Sequence, residues 1–287
     1  MKRIKRGWAL TKKSWALLNE HRELMRFPLY GAVATIVLAI VFLGPGALLI
    51  GSETYGAAIP LLVIGVYVLS VVGVYFSVGL AACADLIFRG QQATVGDGLA
   101  VARSRFGAIC GWAALSTAIS LVMALLENQG GIAGEIGARL IGMAWSLVTF
   151  LAVPIIAIEG TGPFPTLKRS ASMFKSCRGA QVTGNIAIGG AVFLLGVLPG
   201  AALIAIGVLV WSSASFVGAL LAVIGALIVA VALLISKALS GIFGVALYRY
   251  ALDGEALGGF TSDELESAVR TKRGAQSSPP GASAGTI

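Results

Sequence analysis

Residues 216–250 read FVGALLAVIGALIVAVALLISKALSGIFGVALYRY, and in this whole stretch only Lys237 and Arg249 carry charge. Crossing a hydrocarbon core of about 30 Å takes roughly 20 apolar residues as a helix. A lone strand in lipid would leave its backbone groups unpaired, so helix is the only reading of such a run. Five further stretches have the same character: 29–50, 58–88, 108–126, 140–158 and 182–210. The chain is therefore expected to be all-α, a polytopic membrane protein of six transmembrane helices. The first span follows a basic segment without the short apolar core and cleavage site of a secretory signal, and is expected to be retained.

Composition agrees. Of 287 residues 57% are hydrophobic and 12% charged, with 38 glycines. A soluble domain carries about a quarter of its residues as charges. That excludes a water-soluble globule, a disordered chain and a disulfide scaffold. The formal charge of +8 bears on orientation in the membrane, not on nucleic acid, for which no partner role is expected.

Nineteen of the 21 Lys+Arg fall on one side of this six-span layout. Lys2, Arg3, Lys5, Arg6, Lys12, Lys13, Arg22 and Arg26 precede the first span. Arg89, Arg103 and Arg105 follow the second, and Lys168, Arg169, Lys175 and Arg178 follow the fourth. Arg249, Arg270, Lys272 and Arg273 close the chain, while the opposite loops hold only Arg139. Basic loops stay in the cytoplasm, so both termini are expected there, with the protein in the cell membrane. Segments 58–88 and 216–250 exceed one crossing, so they should tilt or project beyond the bilayer. Pro45, Pro60 and Pro154 read as kinks; Pro199-Gly200 either kinks the fifth span or breaks it into a re-entrant loop.

The cytoplasmic pieces are patterned as amphipathic helices. In 1–28, Ile4, Trp8, Trp15 and Leu18 share one helical face and Lys5, Arg6, Lys12 and Lys13 fall largely elsewhere, the pattern of a helix lying among lipid headgroups. A second helix is expected from Thr94, with Asp97 completing a capping box. A third begins near Pro165 and carries Lys168 and Arg169. A short fourth lies in 251–269, and the Ser, Pro, Gly and Ala of 270–287 read as a disordered tail. The layout is either a threefold repeat of helical hairpins, each with a cytoplasmic helix, or a plain six-span bundle with basic inner loops.

Chemistry is sparse. Cys83, Cys110 and Cys177 form no CxxC pair, and with His21 they give no zinc spacing. His21, between Glu20 and Arg22, reads as an ordinary interfacial histidine. No GxSxG, HExxH, P-loop or dinucleotide fingerprint occurs. No catalytic residue, metal or cofactor is expected, and the protein is not expected to be an enzyme. Gly160 and Gly162, in the run 159–163, end the fourth span and start the next surface helix; a phosphate loop would need a following Lys-Ser/Thr. Gly107 with Gly111, and Gly196 with Gly200, have the spacing of closely packed helices.

Ionisable groups inside apolar runs are functional candidates, because burying them is costly. Asp85, Glu159 and Lys237 are the three. One reading is a local Asp85–Arg89 pair with Lys237 snorkelling near the inner headgroups. The other gathers all three in a cytoplasm-facing polar pocket.

Gly7-Trp8-Ala9-Leu10, Ser14-Trp15, Leu24 and Phe27-Pro28, with Pro154 through Gly160 and then Leu167-Lys168-Arg169-Ser170, give a resemblance to an uncharacterised bacterial membrane family, domain of unknown function 6159. More loosely the chain is similar to the membrane domain of some glycerophosphodiester phosphodiesterases. The family resemblance implies six spans and no assigned activity. The residues favour a lipid-organising or scaffold role through the basic face, with Lys5, Arg6, Lys12, Lys13, Lys168 and Arg169 touching anionic headgroups. The rival is a small transporter or permease using the polar pocket. Neither a protein partner nor an oligomeric state can be read from the chain.

Overall fold

The computed structural model describes residues 20–129, 131–176, 189–190, 192–211 and 214–253. After a 3-10 turn at Arg22–Met25 come eight helices: α1 (Arg26–Gly51), α2 (Tyr55–Phe88), α3 (Val95–Ser104), α4 (Phe106–Gln129), α5 (Gly131–Glu159), α6 (Pro163–Ser176), α7 (Leu198–Val210) and α8 (Ser215–Asp253). Among the described residues six helical stretches are long and apolar enough to cross a membrane: Glu23–Gly51, Tyr55–Phe88, Phe106–Glu127, Gly134–Glu159, Phe193–Val210 and Ser215–Leu252. The protein is a multi-pass membrane protein. Of the expected N-terminal helix, residues 1–19 with Lys5, Arg6, Lys12 and Lys13 lie outside the described residues, as do 254–269 of the expected fourth surface helix and the tail.

The spans pair as antiparallel hairpins, α1 with α2, α4 with α5 and α7 with α8. α2 is the hub, touching α4, α5 and α8 as well, whereas α7 packs chiefly on α8. The core gathers where Phe27, Val78–Phe88 of α2, Ile109 and Trp112 of α4, Leu151–Ala157 of α5 and Ala238–Tyr248 of α8 meet. This is also the end bearing Arg89, Arg103, Arg105, Lys168, Arg169 and Arg249, and we call it the basic end. Towards the far end the helices expose large apolar side chains such as Leu48, Leu209 and Phe216, at 77%, 78% and 81%. In water that surface would aggregate; in hydrocarbon it needs no cover.

The two short helices fold back along the spans that precede them. Thr94 caps α3: its hydroxyl accepts from the Asp97 amide at 3.3 Å, and its own amide donates to the Asp97 carboxylate at 2.8 Å. This is the expected capping box. α3 then runs antiparallel beside α2, with the Cys83 thiol donating to the Thr94 carbonyl and the Tyr75 hydroxyl to that of Leu99. Gly98 lets the backbones touch, since a Cβ there would sit 2.5 Å from the Gly79 carbonyl oxygen. α6 starts at Pro163, two residues before the expected point. It buries Thr166, Ser170 and Met173 on one side, and Ser170 donates to the Val148 carbonyl eleven residues back from the end of α5.

The capping box gives a pH prediction. The Thr94 amide, and then its hydroxyl, hold the Asp97 carboxyl below its ordinary value of 3.8. A depressed folded-state pKa gives stability that is present above the unfolded value and lost as pH falls through the folded one. Amide protection in the first turn of α3 should therefore be full at neutral pH and fall on acidification below the ordinary carboxylate range. In Asp97→Asn it should not change over that window; an unchanged wild-type profile would remove the box as a pH-dependent cap.

Pro199 does not break its span. A five-residue π-turn, Phe193–Val197, runs directly into α7. Proline removes one amide, and its ring clashes with the carbonyl four residues before it, here Leu195. The wider turn around Leu195 absorbs both effects, and the helix runs on through Pro199. Gly196 and Gly200 serve close packing: a Cβ on Gly196 would enter Ala232, and one on Gly200 would lie 2.6 Å from Val229. Of the other pair only Gly111 is packed, against Pro163; a Cβ on Gly107 would meet nothing.

Candidate functional site

The polar groups of the basic end converge on the last turns of α8. Asp85, near the end of α2, is buried. It accepts two hydrogen bonds from the Arg249 guanidinium, at 2.5 Å from Nε and 2.9 Å from Nη2. Arg89, one turn along α2, reaches the same carboxylate at 3.1 Å. This is the expected i,i+4 pair with a second, more buried arginine added. The two-point contact from Arg249 and the single one from Arg89 help satisfy the carboxylate's acceptor positions and offset its desolvation.

One residue earlier on α8, the Tyr248 hydroxyl donates to Glu159 Oε1 at the end of α5. Tyr248 is fully buried, and Arg169 of α6 meets the same Glu159 oxygen at 3.3 Å. Neighbouring residues on a helix point about 100° apart, so Tyr248 reaches α5 and α6 while Arg249 reaches α2. The end of α8 thus clasps the first hairpin to the second through two carboxylates.

The turn after α5 is shaped for this arrangement. Gly160 adopts φ +68° and donates to the carbonyls of Ile156 and Ile155, closing the helix. Any side chain there would be strained, and its Cβ would enter the Arg105 guanidinium. Thr161 and Thr166 share a hydroxyl contact of 2.8 Å across the start of α6. The run 159–163 is a helix end and a helix start, as its sequence implies.

Of the three expected pocket residues, Asp85 and Glu159 come to the same end, each on its own arginine. Lys237 does not join them. It lies eleven residues before Tyr248 on α8, about 16 Å along the axis, and its side chain is exposed. Lys168 and Arg169 are exposed on α6. Sequence spacing points to neither Tyr248 nor Arg249 as a partner, and Arg249 reads there only as one of the basic residues closing the chain. Nothing in local spacing links residue 85 to 249 or 159 to 248. Among the described residues no three His, Cys, Asp or Glu side chains come together as a metal site.

Residues 61–259 match the model of a family of unknown function, DUF6159. The chain belongs to this family. The match includes the landmark from Pro154 to Ser170 and starts after the opening Gly7–Leu10 motif. It also takes in Asp85, Glu159, Tyr248 and Arg249, so the whole clasp lies within the family's segment. No curated protein matches the chain, and the looser phosphodiesterase resemblance finds no support.

Proposed function

We propose that this member of the family is a non-enzymatic component of the cell membrane that works through its basic end. That end faces the cytoplasm and gathers anionic lipid. The observation that carries the reading is the placement of α6. It buries Thr166, Ser170 and Met173 against the bundle and turns Lys168 and Arg169 outward. Its fold-back along α5 keeps these cations beside the end of a span, where this reading puts the lipid headgroups. Arg89 and Arg103 are exposed at the same end, and the sequence adds Lys5, Arg6, Lys12 and Lys13.

A small permease draws less support. Its pocket would need carboxylates open to a proton or a substrate, whereas Asp85 and Glu159 already hold arginines of the same chain. A headgroup surface needs only exposed cations on a rigid support, and the clasp provides the support.

The test uses the full chain in lipid nanodiscs made from mixed phosphatidylglycerol and phosphatidylcholine, with the retained lipid counted after detergent extraction. Each basic residue near an anionic surface contributes about 1 kcal/mol, so Lys168→Gln should lower the phosphatidylglycerol preference about fivefold. Equal retention of the two lipids by the wild type would remove the proposal.

A further inference from the structure

One side of α8 changes character along its length. Gly241, Gly244 and Tyr248 share that side, spaced by three and four residues. Here α8 is packed: a Cβ on Gly241 would lie 2.8 Å from Leu80 of α2, and one on Gly244 would lie 3.6 Å from Phe150 of α5. Continuing back at the same spacing, the side presents Lys237, Leu233, Ala230, Ala226 and Val223, and all five are exposed. The helix that closes on α2 and α5 at its basic end therefore parts from them above Gly241. The α7–α8 hairpin leaves a lateral opening towards α5, and Lys237 stands at its narrow end.

Among the described residues no carboxylate pairs with Lys237, which stands over an apolar stripe. Asp85 and Glu159 meet Arg249 and Tyr248 about 16–18 Å further along α8 by helix rise. Glu135, near the far end of α5, pairs with Arg139. An ammonium set among apolar side chains needs an anion or the interface. The exposed Leu233 and Val223 suit acyl chains, and the ammonium suits the phosphate to which such chains are joined.

We propose that Lys237 is the phosphate contact of a glycerophospholipid seated in the opening between α5 and α8, its acyl chains along the stripe from Leu233 to Val223. This deepens the lipid-gathering reading, on which it rests, by naming a discrete lipid site away from the headgroup surface. The contact recognises the phosphate itself and is indifferent to net headgroup charge.

Native mass spectrometry of the purified full-length protein tests this, with phosphatidylcholine, phosphatidylglycerol or a phosphate-free galactosyl diacylglycerol added in turn. The wild type should retain one molecule of either phospholipid in preference to the galactolipid. Lys237→Met should lose that preference about tenfold, as for one charge-assisted hydrogen bond, and Lys237→Arg should keep it. Methionine suits a lipid-facing position, and an unchanged monomer mass with unchanged thermal unfolding shows that the variant is folded. Undiminished phospholipid retention in Lys237→Met would overturn the site. So would a wild-type dimer held by a carboxylate of a second copy at Lys237. Lys168→Gln separates the two readings. Loss of phosphatidylglycerol over phosphatidylcholine belongs to the headgroup surface, and loss of phosphate over galactose belongs to Lys237.

Discussion

Asp85→Ala is expected to lower the stability of the protein by roughly 3–5 kcal/mol, the range for removing one partner of a buried ion pair. The Arg249 side chain is only 14% exposed, so once Asp85 is gone its charge loses a two-point carboxylate contact and has poor access to water. Arg89 is half exposed and can turn to solvent, so it adds little to the loss. Asp85→Asn keeps the size and one acceptor oxygen, and should fall between alanine and wild type. The double variant Asp85→Leu with Arg249→Leu should recover part of the loss, because it removes the guanidinium together with its carboxylate and leaves two apolar side chains to pack. Thermal unfolding in a mild detergent, run for all four chains, gives the comparison. If Asp85→Ala unfolds with the wild type, the clasp does not hold the first hairpin to the third.

The second large effect is in the third hairpin. An alanine at position 225 would place its Cβ 2.5 Å from the Gly200 carbonyl oxygen and 2.9 Å from the Ile204 amide nitrogen. Both are backbone atoms, which no rotamer change can move aside. Gly207, facing Gly218 and Ala222 at 2.6 and 2.8 Å, repeats the arrangement two turns along. To accept one methyl group, α7 and α8 would have to separate along their shared length. In lipid that forfeits packing which no hydrophobic drive restores. Gly225→Ala and Gly207→Ala should each destabilise the protein by about 1–3 kcal/mol, the range for overpacking a tight core. Gly73→Ala, on α2 with nothing within 4 Å of its Cβ, should be neutral or slightly stabilising, since alanine is the better helix former. Equal melting of all three variants would show that the hairpin tolerates a wider separation.

Individual residues show why some of this was legible in the chain and some was not. Thr94 and Asp97 announce the start of α3 because a cap is local: its donors and acceptors lie within one turn of the chain that makes them. Asp85 and Arg89 were readable for the same reason. Pro199 marked a disturbance correctly but left its form open. The relief of its clash with Leu195 lies in how the helix widens, and both outcomes use the same residues. Gly225 looked like any other of 38 glycines until α7 was seen lying on it.

The sequence alone determined that the chain is helical and that it spans a membrane. Hydrocarbon thickness and backbone hydrogen bonding act on each segment separately, whatever its neighbours do. Tertiary structure alone decided which helices touch: that Arg249 rather than Arg89 is the buried partner of Asp85, that Tyr248 reaches Glu159, and that Lys237 stands apart from both. Those outcomes depend on how far the hairpins close on one another. Closure is set by glycine contacts and fold-back helices that bring together residues as many as 164 positions apart, a separation across which no periodicity carries information.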